Sequence, residues 1–334
     1  MRPAGPNGPM NFPKIGIIGI GMVGSQLERY FREIKKLRRG HDLFLYDIDP
    51  KKDYFDDISR ADVVFVCVPT PRSPDGSANL SAVEAAVEMI DKEASRKESK
   101  ESQGGRVIVI KSTVPPGTTE YLQKKHHAHQ FVFNPEFLTE SQAWEDMMRP
   151  DRQIVGFTAA NTKNAAAAVL RLLPDAFFKS PSLHGCYAGH YVTATEAETG
   201  KIAANLFGAA KVTFGNILAD FCVSLDEPAS YENVRHILAH DGRIGPAWLD
   251  VHHGSYRGFG GYCFPKDLDA FIAHSDDLIS KMLKKKDKQS RDSARLLQNG
   301  LSVFKAIRAY NEALLKSQGY SVRQVSTHEK DIAL

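Results

Sequence analysis

Apolar residues fall along this chain in two rhythms. Ile15–Ile18 is an unbroken apolar run ended by glycine, which predicts a buried strand. Residues 23–37 then turn amphipathic and helical. Residues 41–47, 62–68, 106–111, 131–133 and 153–157 read as further strands, and helical stretches fit between them at 80–94, 118–125, 140–148 and 161–173. Strands alternating with helices predict an α/β domain on a doubly wound parallel sheet. After about residue 187 the rhythm changes. Residues 193–223 are rich in Ala, Leu and Phe and read as one long helix, 231–239 and 296–316 are also helical, and strands disappear. The expected organisation is therefore a tail at 1–13, an α/β domain at 14–188, an all-helical central domain at 189–318 and a tail at 319–334. Residues 92–105 are polar and charged, as suits an exposed loop.

Composition narrows the class. A chain of 334 residues has room for about two domains. The net charge of +3, from 43 Lys and Arg against 40 Asp and Glu, is too balanced to imply nucleic acid or an anionic membrane. The basic run Lys284-Lys285-Lys286 with Lys288 sits among Asp287, Arg291 and Asp292 and reads as a solvated surface. No apolar run of ~18 residues predicts a membrane span. The Pro- and Gly-rich start has no signal-peptide core, reads as disordered, and leaves Met10 as an alternative start. Cys67, Cys186, Cys222 and Cys263 form no C-x-x-C pair, so neither a zinc knuckle nor a disulfide framework is expected, and a reducing cytoplasm fits. His126, His127 and His129 read as exposed loop with no carboxylate nearby in sequence, and no metal site is expected.

Gly19-Ile20-Gly21-Met22-Val23-Gly24 is a G-x-G-x-x-G that follows a strand and opens a helix, the context a dinucleotide needs. Glycines permit a tight turn and let backbone approach a pyrophosphate at the helix N-terminus. Asp47 ends the next strand, 23 residues after Gly24. A carboxylate there accepts from an adenosine ribose and repels a 2′-phosphate, which favours NAD over NADP.

Six more segments follow: Val68-Pro69-Thr70-Pro71; 111–119, Lys-Ser-Thr-Val-Pro-Pro-Gly-Thr-Thr; 134–140, Asn-Pro-Glu-Phe-Leu-Thr-Glu; Glu198 with Lys201 and Asn205; 241–245, Asp-Gly-Arg-Ile-Gly; and 260–267, Gly-Gly-Tyr-Cys-Phe-Pro-Lys-Asp. In this order, from about Lys14 to about Lys316, the chain resembles the UDP-glucose/GDP-mannose dehydrogenase family. The resemblance implies a Rossmann-like domain followed by a helical central domain. It also implies NAD-dependent, four-electron oxidation of a nucleotide sugar at its primary alcohol, and the string around Cys263 points to UDP-glucose.

Residue roles follow from the resemblance. Cys263 is the nucleophile that traps the aldehyde as a thiohemiacetal and then carries a thioester. Lys201 and Asn205, one turn apart on a helix, stabilise oxyanion character. Asp267 works with the lysine in proton transfer, Glu136 is the base that activates water, and Thr113 orders catalytic water. Pro69, Thr70, Pro71, Thr113 and Glu140 line the cofactor. Phe137, Leu138, Arg257, Phe259 and Gly260 contact substrate, with Arg243 reaching it from a neighbouring subunit, so a homodimer is expected. Cys67 and Cys222 read as packing residues.

Two departures are visible. Only 14 residues separate Asp47 from Asp62, so the sheet should be trimmed at one edge. The family's third, nucleotide-binding domain is not represented, which raises the expectation of a second polypeptide supplying it or of a short form. Three other readings stay open: a GDP-mannose or UDP-N-acetylhexosamine 6-dehydrogenase, a two-electron 3-hydroxyacid dehydrogenase, which needs no thiol, and a non-catalytic truncated homologue.

Overall fold

The computed structural model describes residues 12–96, 105–160, 162–182, 189 and 191–326. The chain forms two compact units, one of Met1–Thr70 with Ser81–Glu198, the other of Pro71–Leu80 with Thr199–Leu334. Against the expected boundary at 188/189, the division falls ten residues later, inside the long helix, and the second unit claims the excursion at 71–80.

The first unit contains β1 (Ile15–Ile18), α1 (Met22–Glu33), β2 (Leu43–Tyr46), β3 (Val63–Val66), α2 (Ser81–Arg96), β4 (Val107–Ile110), α3 (Thr118–Lys125), β5 (Gln130–Phe133), α4 (Ala143–Met148), β6 (Arg152–Ile154), β7 (Gly156–Phe157), α5 (Lys163–Leu172) and β8 (Phe178–Ser180). The main sheet runs β2-β1-β3-β4-β5-β7. Its first five strands are parallel; Ile15, for example, stands beside both Leu43 and Val63. These strands are apolar on both faces, as buried parallel strands are. Ile17, Leu27, Phe31, Phe65, Val109 and Val132 belong to one core. Strand order reverses between β1 and β3. That switch point is where a ligand crevice opens at the carboxyl ends of the strands.

The short connection from Asp47 to Asp62 is made of two 3-10 turns, Pro50–Lys52 and Ile58–Arg60. Asp49 and Asp57 open them by accepting from the N–H two residues on. β2 thus stays an edge strand, as the trimmed spacing predicts.

Several expectations are corrected. The run 153–157 is two strands: β6 pairs in parallel with β8, while β7 pairs antiparallel with β5. The break coincides with Gly156, where an added Cβ would lie 2.6 Å from the Thr193 carbonyl oxygen. The stretch 140–148 divides into a 3-10 turn, Glu140–Gln142, and α4. α2 continues through Arg96, two residues past the expected helix end at 94 and into the stretch 92–105 expected as loop; residues 97–104 lie outside the described residues. His126 and His129 are buried, not exposed. They flank Asp91 of α2, His126 Nδ1 at 2.9 Å from Oδ2 and His129 Nε2 at 3.3 Å from Oδ1. His129 Nδ1 accepts the Arg106 N–H at 3.2 Å. Among the described residues no group of three or more His, Cys, Asp or Glu could hold a metal ion.

The second unit is built on α6 (Ala194–Val223), of which Thr199 onward belongs to it. It adds α7 (Tyr231–Ala239), a small hairpin of β9 (His252–His253) and β10 (Tyr256–Arg257), α8 (Phe264–Leu283), α9 (Lys288–Ser317) and α10 (Val322–Val325). The hairpin makes it not wholly helical. α8 is an element the sequence reading missed, and α9 starts eight residues before the expected 296, because Asp287 caps it by accepting from Ser290 N–H. α10 belongs to the unit where 319–334 was expected to be a tail, and residues 327–334 lie outside the description. The core joins Ile202, Leu206 and Val212 of α6 to Leu268, Ile272 and Ile279 of α8 and to Ala294 and Leu301 of α9. The excursion 71–80 is tied in by an Arg72–Asp269 ion pair of 2.6 Å. α6 is long and apolar enough to cross a membrane by length and composition. Lys201 and Asn216 are nonetheless buried on it beside core aliphatics, which is the pattern of a core helix.

Candidate active site

In the first unit the glycine fingerprint turns the chain from β1 into α1. Gly19 sits at φ +90°, and a Cβ there would come within 2.8 Å of the Cys67 carbonyl oxygen. A Cβ at Gly24 would run into the Gly19 carbonyl oxygen, so close strand–helix packing requires glycine. Gly21 is different: its Cβ direction faces open space. No side chain caps the N-terminus of α1, so its first N–H groups stay available to an anion. Ile20 and Met22 flank this turn, Ile20 buried and Met22 exposed, with Val23 behind them.

Asp47, just past β2, is buried and fully engaged. Its Oδ2 accepts from Ile20 N–H (2.7 Å) and Lys52 Nζ (2.8 Å), and its Oδ1 from Asp49 N–H (2.9 Å). Burial works to raise this carboxyl, but Lys52 and the two N–H groups outweigh it and hold the group below its ordinary value. Lys52, five residues after Asp47, was not foreseen; its ammonium offsets part of the charge on which the NAD preference was argued. Ile48, next to Asp47, is 86% exposed.

At the carboxyl ends of β3, β4 and β5 the remaining first-unit residues gather. Thr70 Oγ1 donates to the Thr113 carbonyl at 2.7 Å. Ser112 Oγ donates to the Val68 carbonyl at 2.6 Å, fixing the segment that carries Pro69. Glu136 is buried, and its Oε2 accepts from Leu138 N–H at 2.8 Å. Lys111, also buried, points its Nζ at the carbonyls of Asn134 and Pro135, just before Glu136. Cys67 packs beside them; burial pushes its thiol up to about 12, with Lys111 pulling the other way. Phe137 lies under the Arg152 guanidinium at 3.8 Å. Leu138 packs on the core, and Glu140 opens its 3-10 turn exposed.

Glu198 was quoted only as part of a motif, yet it is 0% exposed. It accepts from Gly117 N–H (2.6 Å), Thr119 N–H (2.8 Å) and Thr119 Oγ1 (2.6 Å), capping α3 from 79 to 81 residues away. Burial pushes it up to about 7 despite those donors.

The second unit gathers the other candidates. Asp267 is 2% exposed and sits between Asn205 and Lys266. Its Oδ2 accepts from Asn205 Nδ2 and its Oδ1 from Lys266 Nζ, both at 2.5 Å. Lys201, one turn before Asn205 on α6, is buried too. Cys263 is partly exposed and precedes α8, with its carbonyl accepting from Asp267 N–H at 2.9 Å. The free N–H groups at a helix N-terminus favour negative charge there. Phe264 locks this corner. Its ring meets Trp248 and Phe259 edge-on and presses on Gly208 of α6, where an added Cβ would lie 2.5 Å from the ring. Lys266, three residues after Cys263, is committed to Asp267.

The expected substrate contacts divide. Arg243 has an 89% exposed side chain paired with Asp241 at 2.7 Å, on a loop that Lys211 holds through the carbonyls of Ile244 and Gly245. Arg257 points inward: it donates to Asn216 Oδ1 and carbonyl and pairs with Asp220 at 2.8 Å. Phe259 is buried in the core, and Gly260 is crowded by Tyr256 and Val325. Cys222 is buried, as expected; Cys186 lies outside the described residues.

Residues 51–173 match the model of the UDP-glucose/GDP-mannose dehydrogenase family, NAD binding domain, and residues 195–288 match that family's central domain. The chain is 35% identical over 227 residues to the UDP-glucose 6-dehydrogenase of Rhizobium meliloti, covering 66% of this chain and 47% of that protein. It is 31% identical over 294 residues to the UDP-glucose 6-dehydrogenase TuaD of Bacillus subtilis, covering 78% and 58%. It thus spans about half the length of these relatives. Among solved structures, a UDP-glucose dehydrogenase from Pyrobaculum islandicum superposes with a TM-score of 0.68 at 25% identity, covering 93% of this chain and 73% of that one.

Proposed function

The chain belongs to the UDP-glucose/GDP-mannose dehydrogenase family, and on that premise we propose that it oxidises a nucleotide sugar, UDP-glucose, from primary alcohol to carboxylate. The observation that carries this reading is the Asn205–Asp267–Lys266 array with Cys263 one turn before Asp267, since a plain two-electron alcohol dehydrogenase has no use for a thiol there.

The first unit fits NAD: an uncapped helix N-terminus, open space at Gly21 and an acid at Asp47. Gly19 to Gly24 would hold the pyrophosphate and Asp47 with Lys52 the adenosine ribose, while Pro69, Thr70, Pro71, Thr113 and Glu140 would line the rest. When bound, two NAD in succession each accept one hydride, four electrons in all. Lys201 and Asn205 hold the substrate oxygen as negative charge develops, where a lost donor costs about 10²–10³ in kcat. Asp267 takes the alcohol proton through the lysine and a water. The Cys263 thiolate adds to the aldehyde carbon, keeping the aldehyde from escaping, and after the second oxidation holds a thioester. Glu136 draws a proton from water ordered by Thr113; hydroxide attacks the thioester carbon, the C–S bond breaks, and the thiolate is restored. Phe137, Leu138 and Gly260 frame the sugar. Arg257 and Phe259 act through the loop they shape. Arg243 reaches the substrate of a second copy, and a cytoplasmic homodimer is the working state.

The test is stoichiometry. UDP-glucose should yield two NADH per sugar consumed, with GDP-mannose and UDP-N-acetyl sugars run alongside to name the sugar. Cys263→Ser should abolish acid formation, and Glu136→Gln should let a sugar thioester accumulate on Cys263, visible by mass spectrometry. One NADH per sugar, or full activity in Cys263→Ala, overturns the reading.

A further inference from the structure

The loop that leads to Cys263 is held by its backbone. Arg257 and Phe259 are alternate residues, so their N–H and C=O groups share one edge of the chain. Phe259 N–H donates to Asn311 Oδ1 at 2.8 Å, and Asn311 Nδ2 donates to the Phe259 carbonyl at 2.9 Å. Arg257 N–H donates to Gln318 Oε1 at 2.8 Å, and Gln318 Nε2 donates to the Arg257 carbonyl at 3.1 Å. Two carboxamides from the end of α9, seven residues apart and so on one helix face, stand where a neighbouring strand would stand. Only Asn and Gln offer an acceptor and an amide donor side by side, as a peptide group does.

Between the two clamped residues Gly258 sits at φ +100°, and a Cβ there would lie 2.6 Å from Asn311 Oδ1. Gly261 N–H donates to the Val325 carbonyl at 2.9 Å, so residues 257, 259 and 261 are all bonded to the segment 311–325. Cys263 comes two residues later, between Phe259 and Phe264, whose rings touch in the core at 6.3 Å. Asn311 is itself buried, and this loop partners both its carboxamide oxygen and its amide nitrogen.

We infer that Asn311 and Gln318 are positioning residues for Cys263, their carboxamides fixing the backbone that delivers the thiol to the start of α8. Their part is played through that backbone and not on the reacting atoms. The inference rests on the proposed role of Cys263 only for its effect on turnover; the placement of the thiol can be measured without any reaction.

The experiment uses the full chain with Asn311→Asp, which keeps the shape but loses the donor, and Gln318→Met, a milder change at a helix end. Alkylation by iodoacetamide, located by mass spectrometry, is timed at Cys263 with Cys67 and Cys222 as internal controls. NAD binding is followed by calorimetry and turnover with UDP-glucose by NADH release. Each variant should shift the Cys263 alkylation rate about threefold or more and leave the other thiols and NAD affinity unchanged. The kcat should fall roughly tenfold or more, since a 1 Å misplacement costs on the order of 10²-fold. Should Asn311→Asp fail to fold, Gln318→Met alone decides. Alkylation and kcat within about twofold of the parent in a folded variant overturn the inference. An inactive parent, or an active Cys263→Ala, overturns the proposed reaction instead and leaves the alkylation result standing on its own.

Discussion

At the scale of single residues, the carboxylates of this protein are distinguished by what surrounds them. Asp47 and Asp267 are buried beside ammonium groups, while Glu198 is buried among neutral donors. At Glu198 desolvation outweighs those donors, with no ammonium beside it, and pushes the group up to about 7 from an ordinary value of 4.5. The sign follows. Between 4.5 and about 7 the folded chain binds a proton that the unfolded chain does not. Its stabilising contribution is complete below 4.5 and is lost as pH rises through about 7. Glu120, the other charge acting on it, adds to the upward shift. His129 acts in the opposite sense: burial lowers it, so its contribution is lost as pH falls below 6.5. Glu198→Gln removes only the first effect. Denaturant titrations from about pH 5 to about pH 8 should show the variant gaining on the parent as pH rises. Parallel curves would mean that Glu198 does not titrate in this range.

At the scale of elements, two helix glycines should respond with opposite signs. Gly208 on α6 faces the Phe264 ring at a distance that admits no methyl, whereas Gly300 on α9 faces open space. Gly208→Ala overpacks the corner that holds Cys263 and should destabilise by about 1–3 kcal/mol. Turnover should fall with it, because Phe264 follows Cys263 directly in the chain. Gly300→Ala reduces only unfolded-chain entropy and should stabilise by up to about 1 kcal/mol. Chemical unfolding of both variants checks the pair, and a neutral Gly208→Ala would show that Phe264 can withdraw.

At the scale of the whole molecule, apolar surface remains uncovered. Phe207, Phe214 and Phe221 are exposed at seven-residue spacing on α6, with Ile217 beside them, and α7 buries no residue at all. A stripe of that regularity calls for a second helix. On the proposed homodimer that helix comes from a second copy of this chain, the copy whose substrate Arg243 is proposed to reach. Phe214→Asp should leave a monomer in light scattering, with NAD affinity intact and turnover reduced. The unaltered chain running as a fully active monomer at micromolar concentration would remove both the interface and the role of Arg243.

The sequence by itself determined the parts of this protein whose cause is local. Apolar runs at β1 to β5, the glycines between β1 and α1, and the spacing of Lys201 and Asn205 each report burial or backbone demand within a few residues. Family membership was legible for the same reason, in short strings such as the one around Cys263. Strand breaks and short strands were not. β8 has only three residues and no periodicity, and α8 mixes its core positions with the paired acids Asp276 and Asp277. Only the tertiary structure could decide partners. Glu198 finds Gly117 across 81 residues, Asn311 finds Phe259 across 52, and Asp91 finds the histidines that looked like open loop. Hydrophobic period says which side of an element is buried, and a buried polar group must find a complement. Which group supplies it depends on how the elements pack, and that information has no short-range trace in the chain.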